Sequence, residues 1–486
     1  MTPTPFTIED LYRLPWIEDV RISPDGCLLA YVVVTVDRLR NTYRRAIYLL
    51  SLQASISRRF TMGTRQDTTP RWSPDSKRLA FVSTRDDERG QIYLIDVDGG
   101  EGTQLTTSPY GASEPAWSPD GRSIAFLAHC NEEERTREDQ GDPAPAPNDE
   151  WEARRLREQR QREDDLRTDP RVITRLPYRT GTSFFDDRRR HIYLIEVPVS
   201  AGDEAPPARR LTAGDIHYGT PVWLPDGKAI LSTASRDPEA DSLFAYNDVL
   251  RIPINGGKPE ILTHTGFSYA SPRPSPDGRF IAFQRVPEDR LLAAGNRIAI
   301  LPAAGGEPYD LTAHTDLDIE DFRWLPDSQG LAFVAGWQGD AHVYAISLAG
   351  TTTQPQGQPL VAGRRMILAF DVDRTGTIAF AASSAENPCE LFVRHTDGTE
   401  RQLTTPLLIL HSELDYRVPL SEAEQLFAIL RRQKKVVELV RYPREGHELT
   451  RVGEPRHRVD HMTRTFTWFD RYCKPMECPI IGGFIL

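Results

Sequence analysis

"WSPDGRSIAFLA", residues 117–128, decides the fold because the chain repeats it. The phrase recurs as "ISPDGCLLAYV" (22–32), "WSPDSKRLAFVS" (72–83), "WLPDGKAILSTA" (223–234), "PSPDGRFIAFQR" (274–285) and "WLPDSQGLAFVA" (324–335). A weaker copy, "VDRTGTIAFAA", spans 372–382. The marker aspartates are Asp25, Asp75, Asp120, Asp226, Asp277, Asp327 and Asp373, separated by 50, 45, 106, 51, 50 and 46 residues. One period fits every gap but the third, which has room for a unit plus an insertion.

Each unit has one grammar. Pro presets φ for a turn, Gly tolerates φ > 0, and the Asp is expected to tie its own turn. An alternating strand such as "LAFVS" follows, then a second such as "IYLIDV" (92–97), then a polar turn and a Leu-Thr terminator, as at Leu105-Thr106 and Leu262-Thr263. Three or four short strands about every 45 residues predict a β-propeller. Seven turns and seven terminators predict seven blades over residues 16–404, after an N-terminal segment 1–15. The Trp and Phe residues of the motif are expected to pack between blades.

The long gap places an insertion, residues 129–190, in the third blade. Its acidic and basic run reads as too charged to pack, with "EWEARRLREQRQREDD" (150–165) a solvated helix held by Glu–Arg pairs. "RVITRLPYRTGTSFFDD" (171–187) is more aromatic. It is read either as a segment draped over a propeller face to meet substrate or partner, or as a plain loop return.

Composition narrows the function. A chain of 486 residues needs more than one core. A net charge of −11 argues against nucleic acid as a partner. The first residues, "MTPTPFTIEDLYRLPW", lack the pattern of a secretory signal, and no long apolar run predicts a membrane span. The five cysteines (Cys27, Cys130, Cys389, Cys473 and Cys478) are few and scattered, which predicts reduced thiols and a cytoplasmic location. No nearby Cys/His pair completes a metal site with Cys473 and Cys478, and no cofactor is implied.

After Thr404 the period changes. "PLLILHSE" reads as a strand buried on both faces and "VVELVRYP" as a second. Between them, 421–435 reads as a helix capped by Ser421, with Leu426, Ile429 and Leu430 on one face. "EPRHRVDHMTRTFTWFDRY" (454–472) reads as another amphipathic helix, and an apolar tail covers 473–486. This βαβα unit (405–472) is a piece of doubly wound α/β sheet, where chemistry gathers at the carboxyl ends of strands. Asp415, in "HSELDYRVP" (411–419), follows the first strand, and His447, in "YPREGHELT" (442–450), follows the second. In the chain order Ser…Asp…His they are the last two members of a catalytic triad. The Asp would hold the imidazole tautomer, and the His would move the nucleophile's proton to the leaving amine.

With the repeats, "LLILHSELDYRVP" and "YPREGHE" together, the chain resembles the prolyl oligopeptidase family of serine peptidases, in its acylaminoacyl-peptidase or dipeptidyl-peptidase branch. The resemblance implies a seven-bladed propeller that filters substrates by size and an α/β-hydrolase domain that cleaves short peptides. It implies Asp415 as triad acid and His447 as triad base.

One departure is large. The family's nucleophile stands in Gly-x-Ser-x-Gly, and no serine of this sequence does. Ser113 and Ser183 follow a Gly by two residues but precede none, Ser412 lies in the loop of the acid, and Ser421 is assigned to the helix cap. The first half of the hydrolase domain is expected to be missing between the last blade and "TPLLIL". Three readings stay open: a peptidase relative unable to form an acyl-enzyme alone, a propeller binding module with a vestigial α/β unit, and a hydrolase whose nucleophile is improvised or supplied by another chain. Short peptides are the expected ligands, and exposed strand edges make a homo-oligomer possible.

Overall fold

The structure, a computed structural model, describes residues 15–472 apart from short internal stretches, the longest at 141–149, 173–178, 199–205, 236–245 and 350–357. Two compact units are present, Met1–Thr64 with Leu368–Leu486, and Arg65–Ile367. Among the described residues seven four-stranded groups follow one another along the chain, over 16–59, 67–104, 112–210, 222–261, 267–310, 319–361 and 366–403. Each is built from one continuous stretch.

All seven marker aspartates tie their own turns. The Oδ1 of Asp120 accepts from Ser118 Oγ at 2.6 Å and from Arg122 N at 3.1 Å. Asp25, Asp75 and Asp277 repeat both bonds. Asp226 and Asp327 keep only the backbone bond among those described, since Leu224 and Leu325 replace the serine. Asp373 takes three donors, Thr375 N, Thr375 Oγ1 and Thr377 N. These donors hold the Asp75 and Asp120 carboxyls below the usual carboxylate range against the effect of burial, and bring Asp277 to about 2.

The terminator threonines close the other end of each ladder. Thr61, Thr106, Thr212, Thr263 and Thr312 each accept the backbone N–H of the third strand, at 2.9–3.0 Å. The motif tryptophans join neighbouring sheets. Trp117 Nε1 donates to Arg71 O, Trp223 Nε1 to Ala116 O and Trp324 Nε1 to Arg273 O, at 2.9–3.0 Å. Apolar clusters lie between consecutive sheets, as where Ala80, Ile92 and Leu105 meet Ile124, Phe126 and Tyr193. In the other unit the first and last sheets pack together. Ile22, Leu29 and Leu50 meet Ala379, Leu391 and Val393, and Ile22 N donates to Asp371 Oδ2 at 3.1 Å.

The insertion joins the second and third strands of the third group, Ser123–Cys130 and Arg189–Glu196, which pair across it. The solvated helix is α2, Glu150–Arg167. A second helix, α1 (Glu132–Asp139), overturns the expectation that the segment is too charged to pack. Asn131 and Glu134 form a capping box that fixes its start. Its Arg135 is buried, donating to Cys130 O at 3.2 Å and to Asp215 Oδ1 at 2.8 Å. Arg210 anchors the other end, through Glu138 Oε2 at 2.7 Å, Arg135 O at 3.0 Å and Asp139. Charge is no bar to packing where each ion has a partner. Most of 171–187, and the tail 473–486, lie outside the described residues.

The cysteine expectation fails at one position. Cys130 and Cys389 are free, but Cys27 is disulfide-bonded. Among the described residues no helix is long and apolar enough to cross a membrane.

The C-terminal strands Leu407–Ser412 and Val437–Tyr442 are parallel, in register from Leu407↔Val437 to Ser412↔Tyr442. Helices α3 (Leu420–Arg432), α4 (Leu449–Val452) and α5 (Pro455–Tyr472) complete the unit. Two details of α3 differ from the sequence reading. It begins at Leu420, directly after Pro419, so Ser421 sits inside the first turn and is no cap. Its inward face carries buried Ala423 with half-buried Phe427 and Leu430, spaced by four and three, while Leu426 lies outside it at 44% exposure.

Candidate active site

The parallel register sets the site. It brings the carboxyl ends of both strands level, so the two loops leave the sheet side by side. Backbone bonds clasp them. Glu413 N donates to Tyr442 O and Leu414 N to Glu445 O, both at 2.9 Å. The Asp415 loop folds on itself, with Asp415 N bonded to Ser412 O at 3.3 Å and Arg417 N to Asp415 Oδ1 at 2.9 Å. The remaining carboxylate oxygen, Oδ2, meets His447 Nδ1 at 2.9 Å. The two residues singled out by sequence are therefore in direct contact, though 32 positions apart.

Their surroundings differ. The Asp415 side chain is 9% exposed and that of His447 is 41% exposed. An ionised carboxylate only accepts, so with a neutral imidazole the shared proton sits on Nδ1 and the lone pair on Nε2. No described residue hydrogen-bonds Nε2, and the described serines, Ser412 and Ser421 among them, make no bond to His447. Ser412 is buried at the end of the first strand.

The loop carrying His447 is braced by residues that the sequence reading passed over. Glu445 is buried and uses Oε1 to accept from Glu454 N at 2.8 Å and His457 Nδ1 at 2.7 Å. Arg444, at φ +64°, grips Glu454 with two bonds of 2.8 and 3.0 Å. Tyr442 donates to Asp460 Oδ2 at 3.1 Å, and burial together with that carboxylate pushes its hydroxyl up to about 12. A glutamate directly before Gly-His was the available sign of such a brace. Glu445, Glu454 and His457 are also the one group of potential metal ligands among the described residues. Glu445 and His457 are bonded to each other and Glu454 to Arg444, so internal hydrogen bonds account for the group without an ion. Cys473 and Cys478 lie outside the described residues.

Comparison with known proteins agrees with both halves. Residues 19–141 match the TolB beta propeller domain and residues 382–475 the prolyl oligopeptidase family. The uncharacterized peptidase YuxL of Bacillus subtilis is 47% identical over 68 residues, 14% of this chain and 10% of that protein. Dipeptidyl-peptidase 5 of Porphyromonas gingivalis is 25% identical over 128 residues, 26% of this chain and 19% of that one. The matched stretches thus span less than a fifth of either relative's length. Among solved structures, the acylaminoacyl peptidase of Pyrococcus horikoshii superposes with a TM-score of 0.58, covering 98% of both chains at 14% identity. The propeller domain of the Trilobed protease from Pyrococcus furiosus gives 0.54, covering 83% of this chain and 99% of that one at 17% identity. At those identities the likeness is one of fold. The fold is a β-propeller followed by part of an α/β-hydrolase unit, and the C-terminal residues 382–475 are similar to the prolyl oligopeptidase family.

Proposed function

We propose that this relative of the prolyl oligopeptidases carries the acid–base half of a serine-peptidase triad. Asp415 is the acid and His447 the base, and short peptides are the ligands. The observation that carries the reading is the 2.9 Å contact between His447 Nδ1 and Asp415 Oδ2 at the carboxyl ends of two parallel strands. In that arrangement Nε2 takes the proton of a nucleophilic hydroxyl and returns it to the leaving amine, while Asp415 stabilises the imidazolium. No serine of the sequence stands in Gly-x-Ser-x-Gly, so the chain alone forms no acyl-enzyme with peptides.

The seven sheets are read as seven blades over 16–404, and the βαβα unit as the hydrolase portion over 405–472. The net charge of −11 speaks against nucleic acid as a ligand. A cytoplasmic location follows from the scattered cysteines, and the Cys27 disulfide is the observation that stands against it. The missing nucleophile motif equally favours a second reading, a propeller module that binds peptides without cleaving them.

A fluorophosphonate probe tests the proposal, together with acylated and dipeptidyl anilide substrates. The expected result is no stoichiometric label and no anilide hydrolysis. Labelling that His447→Ala abolishes would overturn it. Retention of peptides without turnover would favour the binding module.

A further inference from the structure

The triad reading leaves one group idle. His447 has its Nδ1 fixed by a carboxylate that is nearly buried, while Nε2 faces no described partner on a side chain that is 41% exposed. Two large apolar side chains flank the acid in the same loop, Leu414 at 45% exposure and Tyr416 at 89%. An imidazole held in one tautomer, its lone pair outward beside an apolar rim, is itself a nucleophile.

We propose that His447 is the nucleophile of a serine-independent acyl transfer that acts on activated acyl groups, such as aryl esters with small apolar acyl parts. Asp415 is its positioning residue. The Nε2 lone pair attacks the ester carbonyl, the C–Nε2 bond forms, and the C–O bond to the aryl group breaks. The aryl oxide leaves with the electron pair. The acyl-imidazolium keeps its Nδ1–H bonded to Asp415 Oδ2, so the new positive charge lies against a carboxylate. Water then attacks the acyl carbon, the C–Nε2 bond breaks, and the water's proton passes to solvent. The sum is ester plus water giving carboxylic acid and phenol.

The leaving group sets the substrate class. An imidazole displaces a phenolate readily, because the two are comparable leaving groups. It does not displace the amine of a peptide, which is far the poorer leaving group. The activity is therefore distinct from the peptidase reading and compatible with it. It shares the Asp415–His447 contact but needs no serine.

The test uses the full chain and p-nitrophenyl acetate, with diethyl pyrocarbonate as a probe that leaves a stable acyl-imidazole. Peptide mapping should find His447 modified first among the 11 histidines. His447→Ala should lower ester hydrolysis roughly tenfold, toward the background of the other histidines. Asp415→Asn should slow both reactions several-fold. The amide oxygen can still serve Arg417 N, but the neutral partner no longer dictates which ring nitrogen holds the lone pair. Mere exposure of His447 would leave Asp415→Asn without effect. Hydrolysis unchanged within about twofold in His447→Ala would overturn the proposal. Pretreatment with the fluorophosphonate separates this idea from the previous one. An unchanged rate without label is the expected result. A stoichiometric label with lost hydrolysis would reveal a serine nucleophile and overturn both, whereas no label and no His447 effect would sink this proposal alone.

Discussion

Gly121 turns the chain at φ +70°, and a Cβ there would meet only Pro74, at 3.6 Å. Space is therefore adequate and the backbone conformation is the whole cost. Gly121→Ala should lose about 1–2 kcal/mol, the left-handed penalty of an L-residue, in a urea titration. The structure already tolerates that penalty twice, at Ser76 (φ +62°) and Ser328 (φ +57°), where the repeat reads Pro-Asp-Ser. A different cost attaches to His191, which is wholly buried with Nδ1 bonded to Thr212 Oγ1 at 3.0 Å and Nε2 without a partner among the described residues. Burial, with Arg210 and Arg135 nearby, lowers its pKa to about 3. His191 stays neutral in the folded chain while in the unfolded chain it takes up a proton below about 6.5. Its contribution is complete above that pH and is lost as pH falls toward 3, at up to about 1.4 kcal/mol per pH unit. Urea midpoints at pH 7, 5.5 and 4.5 should fall in that order, and His191→Asn should flatten the decline. A midpoint independent of pH, or an equal slope in the variant, would contradict this. At this scale the sequence was legible where a side chain's role is local. Each Asp of the repeat bonds within its own turn, and Asp415 and His447 sit at fixed offsets from strands. It was not legible for the first-strand bulges, where Asp19, Thr69, Glu114 and Ser271 take φ of +48 to +55° without a glycine to mark them.

Helix α1 shows why an element can escape a reading of composition. Its sequence, "EEERTRED", has no apolar face, so periodicity gives no signal for packing. The stabilising partners lie far along the chain, in Arg210 and Asp215, and only the folded sheet brings them near. Arg210→Ala should remove three anchors at once and leave Glu138 and Asp139 without their cation. A loss of about 2–4 kcal/mol is expected from the destruction of a network whose arginine side chain is 5% exposed, with earlier proteolysis at 132–139. The Arg154→Ala control, in α2, should change stability by less than about 0.5 kcal/mol, since Arg154 and Glu158 are both well exposed. Equal losses in the two variants would mean that α1 is as loosely held as α2. The C-terminal helices were legible by contrast, because α3 and α5 carry apolar periodicity. The inward face of α3 differs from the one its apolar run predicts, since Leu426 belongs to the longer apolar run while Ala423, the buried position, carries almost no signal of its own.

Across the whole molecule, burial is uneven, and stability should follow it. In five of the seven repeats a phenylalanine follows the Ala, and all five, Phe81, Phe126, Phe283, Phe333 and Phe380, are 0% exposed. Within each unit the repeated sheets cover one another, each adding an interface to its neighbour. The α/β unit offers no such cover. Its two strands have no third partner among the described residues. Along α5, Val459, Met462 and Phe466 recur at helical spacing with 66%, 53% and 61% exposure, joined by Leu426 and Val436 at 44% and 46%. Apolar side chains left in water contribute little of the roughly 1.5–3 kcal/mol each that burial supplies. The same unit presents the surface through which copies would associate. Local opening should therefore begin there, well below the free energy of global unfolding. Amide hydrogen exchange measures this directly. Leu408–Leu410 and Leu439–Val440 should exchange at least about tenfold faster than Leu79–Phe81 and Ile124–Phe126, which corresponds to an opening easier by about 1.4 kcal/mol or more. Raising the protein concentration should narrow the difference if association covers α5, and Phe466→Glu should restore it. Protection in the two C-terminal strands equal to that of the repeat strands, at low concentration and in a monomer, would show that the unit is held by more than the described contacts supply.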